Sequence, residues 1–175
     1  IGFMGQRPFW HTNNDLYLKS IYNDTIYRIK DMRLTPSFIF ELGKYHWPYK
    51  ERYNKKHDHS IRITEILDSE DYMLFRFITR LFDNENRKLF NGIFLKATGS
   101  VRINEMENGF IDDINSFLPF QPYTVSNTGE YAGIFTTAEI AEWFENNPDK
   151  QSSLPPVLQD LKGMDEEDNP VVYIL

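Results

Sequence analysis

Apolar residues along this chain recur mostly at every second position or in short unbroken runs, and the runs end in Gly, Pro, Asn, Asp or Ser. That rhythm marks short strands broken by turn chemistry. A first set reads DLYLKSIY, TIYRIK and SFIFELG. Asn23 and Asp24 tolerate positive φ, so they predict a two-residue hairpin loop. That register would pair Ile21 with Ile26 and Leu18 with Ile29. It would also set Lys19 against Arg28, a mildly unfavourable cross-strand pair. Residues 31–36 supply the next turn and Gly43 ends the third strand.

A polar and aromatic loop follows, KYHWPYKERYNKKHDHS, residues 44–60. A second set then reads IRITEILDS, DYMLFRFITR, KLFNGIFLKA and SVRINE, with turns at 68–71, 83–87 and 98–100. The third set, GFIDDI, YTVSNTG and YAGIFT, is less regular. Two short helices interrupt it. TTAEIAEWFENN carries Thr136 and Glu139 at capping-box spacing, with Ile140, Trp143 and Phe144 on one side. SLPPVLQDLKG has Ser153 ahead of its prolines and Gly163 past its last turn, a helix start and stop. The acidic loop MDEED leads into a last strand, NPVVYIL.

YMLFRFI and FIFEL place apolar residues on both alternating faces, which predicts strands buried on both sides. Propeller blades pack both faces on neighbouring blades. A β-sandwich, the other option, would show more polar outward faces. The pattern predicts an all-β fold of about three antiparallel propeller-type blades, a partial propeller, with two short helices near the C-terminus. The blades fall at residues 9–45, 60–106 and 109–175 of one domain spanning 1–175.

Composition narrows the function classes. The chain has 175 residues, 41% hydrophobic and 15% aromatic, which supports a packed core. A net charge of −7 speaks against a nucleic-acid partner, because a phosphate backbone wants a basic face. With no Cys, disulfides, thiol nucleophiles and Cys-rich zinc sites are out. No apolar run approaches the roughly 18 residues of a membrane helix, so no transmembrane segment is expected. The opening IGFMGQRPF has neither an initiator Met nor a charged-then-apolar leader, and reads as a mature or truncated chain.

Several stretches resemble a known family: NDTIYRI (23–29), FIFELGKY (38–45), ITEILDSEDYMLFRF (63–77), GFIDDINSFLPFQP (109–122) and DEEDNPVVYIL (165–175). The chain is similar to the C-terminal half of six-bladed, NHL-like β-propellers, exported lipoproteins of gut anaerobic bacteria. Members carry a D-T-(I/V)-Y-x-(I/L) hairpin and a G-x-x-(D/N)-D-I … PF-x-P stretch. Ser116-Phe117 departs from the pattern, where small residues, usually glycine, are expected. The resemblance implies a propeller architecture and export to the periplasm or an outer-membrane anchor; it implies no reaction. A propeller takes roughly four to eight blades of four strands, at about 40–50 residues each. About three blades cannot close a ring, so self-association or missing N-terminal blades are expected.

Candidate chemistry concentrates in the 44–60 loop. Tyr45, His46, Trp47 and Tyr49, with His59, could stack on a sugar or grip a peptide. His57 and His59 lie on one side of an extended HDH, and with His46 they form a weak metal candidate, although neighbouring lysines repel a cation. No cofactor is implied. Asp112 and Asp113 fall on opposite faces of a strand, and Asp165, Glu166, Glu167 and Asp168 read as turn chemistry. Asn23-Asp24-Thr25 matches a glycosylation acceptor, poorly suited to a tight turn. No phosphate loop, nucleophile elbow or HExxH occurs. The expected function is a non-catalytic binding or scaffold module of an exported propeller protein, contacting protein, peptide or glycan through its loops. The alternative is a propeller-type hydrolase or lyase using His, carboxylates or a metal.

Overall fold

In a computed structural model, which describes residues 8–106, 109–165 and 167–175, strand pairing accounts for most of the regular structure. Three antiparallel sheets form: β1-β2-β3-β4, β5-β6-β7-β8 and β11-β10-β9. The chain divides into two compact units. One holds residues 1–107 with 127–129, the other residues 108–126 with 130–175.

In the first unit, β1 (Phe9–Thr12), β2 (Asp15–Leu18), β3 (Thr25–Lys30) and β4 (Arg33–Ile39) make the first sheet. Its tight hairpin loops differ from the expected one. They sit at Asn13-Asn14, with φ of 50° and 63°, and at Asp31-Met32, with φ of 49° and 58°. Thr12 pairs Asp15 and Lys30 pairs Arg33 around them, the left-handed geometry that suits a two-residue loop. The predicted hairpin at Asn23-Asp24 is therefore corrected. β2 ends at Leu18, and the register is Leu18 with Tyr27, Tyr17 with Arg28 and Leu16 with Ile29. Lys19 is not set against Arg28; its amide continues the pairing with the β1 side, donating to the Pro8 carbonyl at 2.9 Å. Asn23 accepts from the Thr25 amide at 2.9 Å, an Asx turn that starts β3. Pro36 lies within β4, an edge strand, where its missing N–H costs no ladder bond.

The second sheet follows the expected pattern closely: β5 (Arg62–Asp68), β6 (Tyr72–Thr79), β7 (Lys88–Leu95) and β8 (Ser100–Glu105). In β6, Met73, Leu74, Phe75, Phe77 and Ile78 are all buried, so both of its faces are covered. FIFEL does not share this: Ile39 and Glu41 are exposed, because β4 is the sheet's edge. Gly92, opposite Phe75, lies under that ring, and a Cβ there would come within 2.3 Å of it. Phe40 meets Phe75 edge-on at 5.2 Å and Phe38 meets Phe94 at 6.1 Å, which packs the first sheet onto the second.

In the second unit, β9 (Pro122–Val125), β10 (Tyr131–Phe135) and β11 (Val171–Ile174) form the third sheet. GFIDDI contributes only a single bridge, Phe110 with Phe120, and no strand. Helix α1 (Thr137–Asn146) starts on the predicted box: Thr136 Oγ1 accepts from the Glu139 amide at 3.2 Å, and the Glu139 carboxylate accepts from the Thr136 amide at 2.8 Å. The second helix differs from expectation. Ser153 closes a 3-10 helix, Pro148–Ser153, and α2 is one turn, Pro156–Gln159, running into a 3-10 turn at Asp160–Gly163. Ile140, Trp143 and Phe144 of α1 pack with Phe117, Phe135, Leu154 and Leu158 into the core of this unit. No helix among the described residues is long and apolar enough to cross a membrane.

Candidate functional site

The 43–60 loop enters through Gly43, at φ +52°, and folds as three 3-10 turns, Gly43–Tyr45, Tyr49–Glu51 and Lys55–His57. Its two ends are tied together. The Ile61 amide donates to the Tyr45 carbonyl at 2.9 Å, and the buried Ser60 hydroxyl donates to the His46 carbonyl at 3.4 Å. Asp58 ties the loop to the residues after β6: its carbonyl accepts from the Arg80 amide at 2.6 Å and its carboxylate from the Phe82 amide at 2.5 Å.

The predicted site residues separate into two groups. Trp47 is 2% exposed. It packs on Ile78 and Leu81, meets Tyr22 and Phe82 edge-on, and donates its indole N–H to the Glu51 carbonyl at 3.2 Å. Its place is in the core, as the anchor of the loop. Tyr45 and Tyr49 stay in solvent at 43% and 58% exposure. His46 pairs through Nδ1 with the Asp24 carboxylate. His59 is exposed and has no hydrogen-bond partner among the described residues.

His46, His57 and His59 are not assembled into a metal centre. Residues 55–57 form a 3-10 turn in place of the expected extended segment, held by the His57 amide donating to the Asn54 carbonyl at 3.0 Å. His57 turns its Nε2 to Glu51 at 2.7 Å. That contact and the Asn54 side chain hold the Glu51 carboxyl below the usual carboxylate range. Among the described residues no group of three or more His, Asp or Glu converges to hold an ion.

Two functional-looking residues escape the sequence reading. Tyr53 is the most exposed ring of the loop at 79%, and Arg52 lies over both Tyr49, at 4.4 Å, and Tyr53, at 4.8 Å. Arg52 and Tyr53 lie three and four residues after Tyr49, the spacing that one helical turn brings together, and Arg52 and Tyr53 are sequence neighbours; the 49/52 spacing is a signal the sequence carries. Beside the loop, Lys19 is buried, and among the described residues its ammonium donates to the Ser20 carbonyl, at 3.3 Å. Burial pushes it down to about 8; the nearby Asp24 opposes the shift and Arg62 adds to it.

Leu42 and Ile61 flank the loop and also line an apolar cavity of about 490 Å³, with Phe38, Phe40, Phe75 and Val101. The acidic turns elsewhere are local chemistry. Burial raises the Asp112 carboxyl, but amides including those of Asn115 and Ile114, at 2.9 and 3.0 Å, outweigh it and leave it below the usual range. Asp168 accepts from the Asp165 amide at 2.8 Å; Glu166 lies outside the described residues.

Among the described residues, three antiparallel sheets and a few short helices define a mostly-β fold, and the aromatic loop is its candidate recognition surface. The chain belongs to the family described as a domain of unknown function, DUF4934, whose profile matches residues 1–175. It is similar in structure to a protein of Bacteroides fragilis NCTC 9343 described as a "putative exported protein", with a TM-score of 0.61 at 12% sequence identity. The match covers 94% of this chain and 47% of that one, so the chain spans about half the length of the protein it resembles, and the likeness is one of fold. No curated protein matches it.

Proposed function

We propose that the chain is a non-catalytic binding module that takes a peptide, protein or glycan on the 43–60 loop. The contrast within that loop carries the reading. Trp47 is locked in the core while Tyr45, Tyr49 and Tyr53 present their rings to solvent. Rings held from below offer large amphipathic area at little cost in entropy, which is what recognition of extended or planar ligands uses. Arg52, stacked on two of them, adds a planar donor for a carboxylate or hydroxyl at the same place. The cavity at the root of the loop would receive an apolar side chain of the bound partner.

The architecture we assign with this function is propeller-type: the three sheets are blades of an exported, envelope-anchored protein of the NHL-like lipoprotein kind. Two observations support this reading, the burial of β6 on both faces and the fold likeness to a longer protein described as exported.

Binding to glycan arrays and immobilised peptide libraries tests the function. Tyr49→Ala and Tyr53→Ala should each weaken capture by roughly tenfold without moving the unfolding midpoint. Trp47→Ala should instead lower stability by about 3–5 kcal/mol, as loss of a core ring does. Capture that survives the double Tyr49→Ala, Tyr53→Ala variant would remove the loop from the function.

A further inference from the structure

The 43–60 loop differs in charge from the rest of the chain. Residues 44–60 hold Lys44, Lys50, Arg52, Lys55 and Lys56 against Glu51 and Asp58, an excess of positive charge in a chain whose net charge is −7. The loop's carboxylates are already engaged. Glu51 accepts from the Asn54 side chain at 2.9 Å and meets His57 Nε2 at 2.7 Å, and Asp58 accepts from the Phe82 amide. Asp24, beside the loop, is paired with His46. The lysines are not engaged in this way. Lys44, Lys50 and Lys56 are exposed, and none of their ammonium groups has an ion-pair or hydrogen-bond partner among the described residues.

Cations and exposed rings share this surface. Lys44 Nζ stands 5.1 Å from the centre of the Tyr45 ring, and Arg52 lies over Tyr49 and Tyr53. A guanidinium stacked on rings keeps in-plane N–H groups, a fork that matches an acidic group. The backbone offers less. The amides of Tyr45, His46, Glu51, Arg52, Asn54 and His57 donate within the loop's own turns. A peptide bound by strand addition takes its affinity from main-chain bonds, and these turns leave no such ladder. A sugar is met by side chains, its C–H face on an aromatic ring and its substituents on polar groups.

We propose, resting on the reading of the 43–60 loop as a binding surface, that its ligand is an acidic glycan, a chain of sugars bearing carboxylate or sulfate groups. Tyr45, Tyr49 and Tyr53 supply the rings on which pyranose faces pack, and Lys44, Lys50, Arg52 and Lys56 meet the acidic groups. These ion pairs form at an exposed surface, so salt weakens them. The acidic remainder of the chain repels a polyanion that runs beyond the loop. The site therefore suits a few sugars and not a long, uniform charge such as that of a nucleic acid.

Isothermal titration of the full chain with oligogalacturonate and with a sulfated galactan oligosaccharide reads the binding. At least one of the two should bind, with an affinity that falls roughly tenfold or more between about 0.05 and 0.5 M NaCl. Its methyl-esterified or desulfated counterpart keeps the sugar and loses the charge; hexaglutamate keeps the charge and has no sugar face. Each should bind roughly tenfold more weakly or worse. The double variant Lys50→Gln, Lys56→Gln and, separately, Tyr53→Ala should each cost roughly tenfold in affinity with the unfolding midpoint unchanged. A neutral counterpart that binds equally well, or hexaglutamate that does, overturns the acidic-glycan assignment, and capture lost on Tyr49→Ala, Tyr53→Ala would still keep the loop as a binding surface. Acidic-glycan binding indifferent to both variants places that binding elsewhere and overturns it too. If neither acidic glycan binds, the assignment fails, and the broader reading of the loop then fails only if the arrays and peptide libraries also show no capture that the tyrosine variants remove.

Discussion

The indole N–H of Trp10 donates to Oδ2 of Asp68 across 3.2 Å, joining the first strand of the first sheet to the last residue of β5 in the second. Thr12 donates its hydroxyl to the same oxygen at 3.0 Å, and Lys96 Nζ stands 2.8 Å from Oδ1. Asp68 is almost completely buried, so its charge depends on these partners. Asp68→Ala would leave the Trp10 indole N–H without its acceptor and the Lys96 ammonium without its counter-charge, while that ammonium keeps the Ser69 carbonyl at 2.5 Å and the Thr12 hydroxyl keeps the backbone carbonyl of residue 68 at 3.1 Å. Urea unfolding should show a loss of about 3–5 kcal/mol, as for breaking a buried pair from one side. Asp68→Asn, which keeps an acceptor for Trp10 and Thr12, should cost less. A loss under about 1 kcal/mol for the alanine variant would mean that the two sheets are held by Phe38, Phe40, Phe75 and Phe94 alone.

The second sheet is legible in the sequence because its alternation and its turns agree, and each strand pairs with the next one along the chain. The first sheet is less so. Asn13-Asn14 and Asn23-Asp24 have equal local aptitude for a tight turn. The choice falls to long-range bonds that no local pattern carries, the Lys19 amide to Pro8 and the Phe40 amide to the Asp24 carbonyl. The site divides in the same way. Loop aromatics at 45–49 are visible as a cluster, but Trp47 is core because Ile78 and Leu81, distant in sequence, cover it. Burial of Lys19 has no sequence signal at all, since a lysine beside strand residues ordinarily reaches water.

Ser116 holds φ at +53°. Glycine carries no Cβ penalty in such a left-handed backbone, so the conformation itself favours glycine over serine here. The strained turn puts Phe117 into the α1 core and lets Asp112 collect the Ile114 and Asn115 amides. Ser116→Gly should therefore stabilise the chain by about 0.5–1 kcal/mol in thermal or urea unfolding, net of the entropy that glycine adds to the unfolded chain. Ser116→Val should destabilise it, because a β-branched residue fits this region least well. A glycine variant less stable than wild type would show that the serine hydroxyl supplies more than the backbone costs.

Lys19 makes stability depend on pH in a defined window. Its ammonium falls from an ordinary 10.5 to about 8 on folding, because burial outweighs the attraction of Asp24. Below about 8 both states carry the proton, and the folded chain bears the full penalty of a buried charge. Between about 8 and 10.5 the unfolded chain holds more protons than the folded one, so stability rises with pH, by on the order of 3 kcal/mol across the window. Tyr17 and Tyr173, whose hydroxyls burial raises above 10, act in the opposite sense: the folded state keeps their protons longer, and that contribution is lost only above about pH 10. The clean measurement is therefore urea unfolding between about pH 8 and 10, where a rise is expected. Lys19→Met, which keeps the stem and removes the charge, should abolish the rise and be more stable than wild type near pH 7 by about 1–3 kcal/mol. A wild-type profile that stays flat over this range, or a methionine variant that is less stable at neutral pH, would mean that the ammonium finds water or a partner in solution.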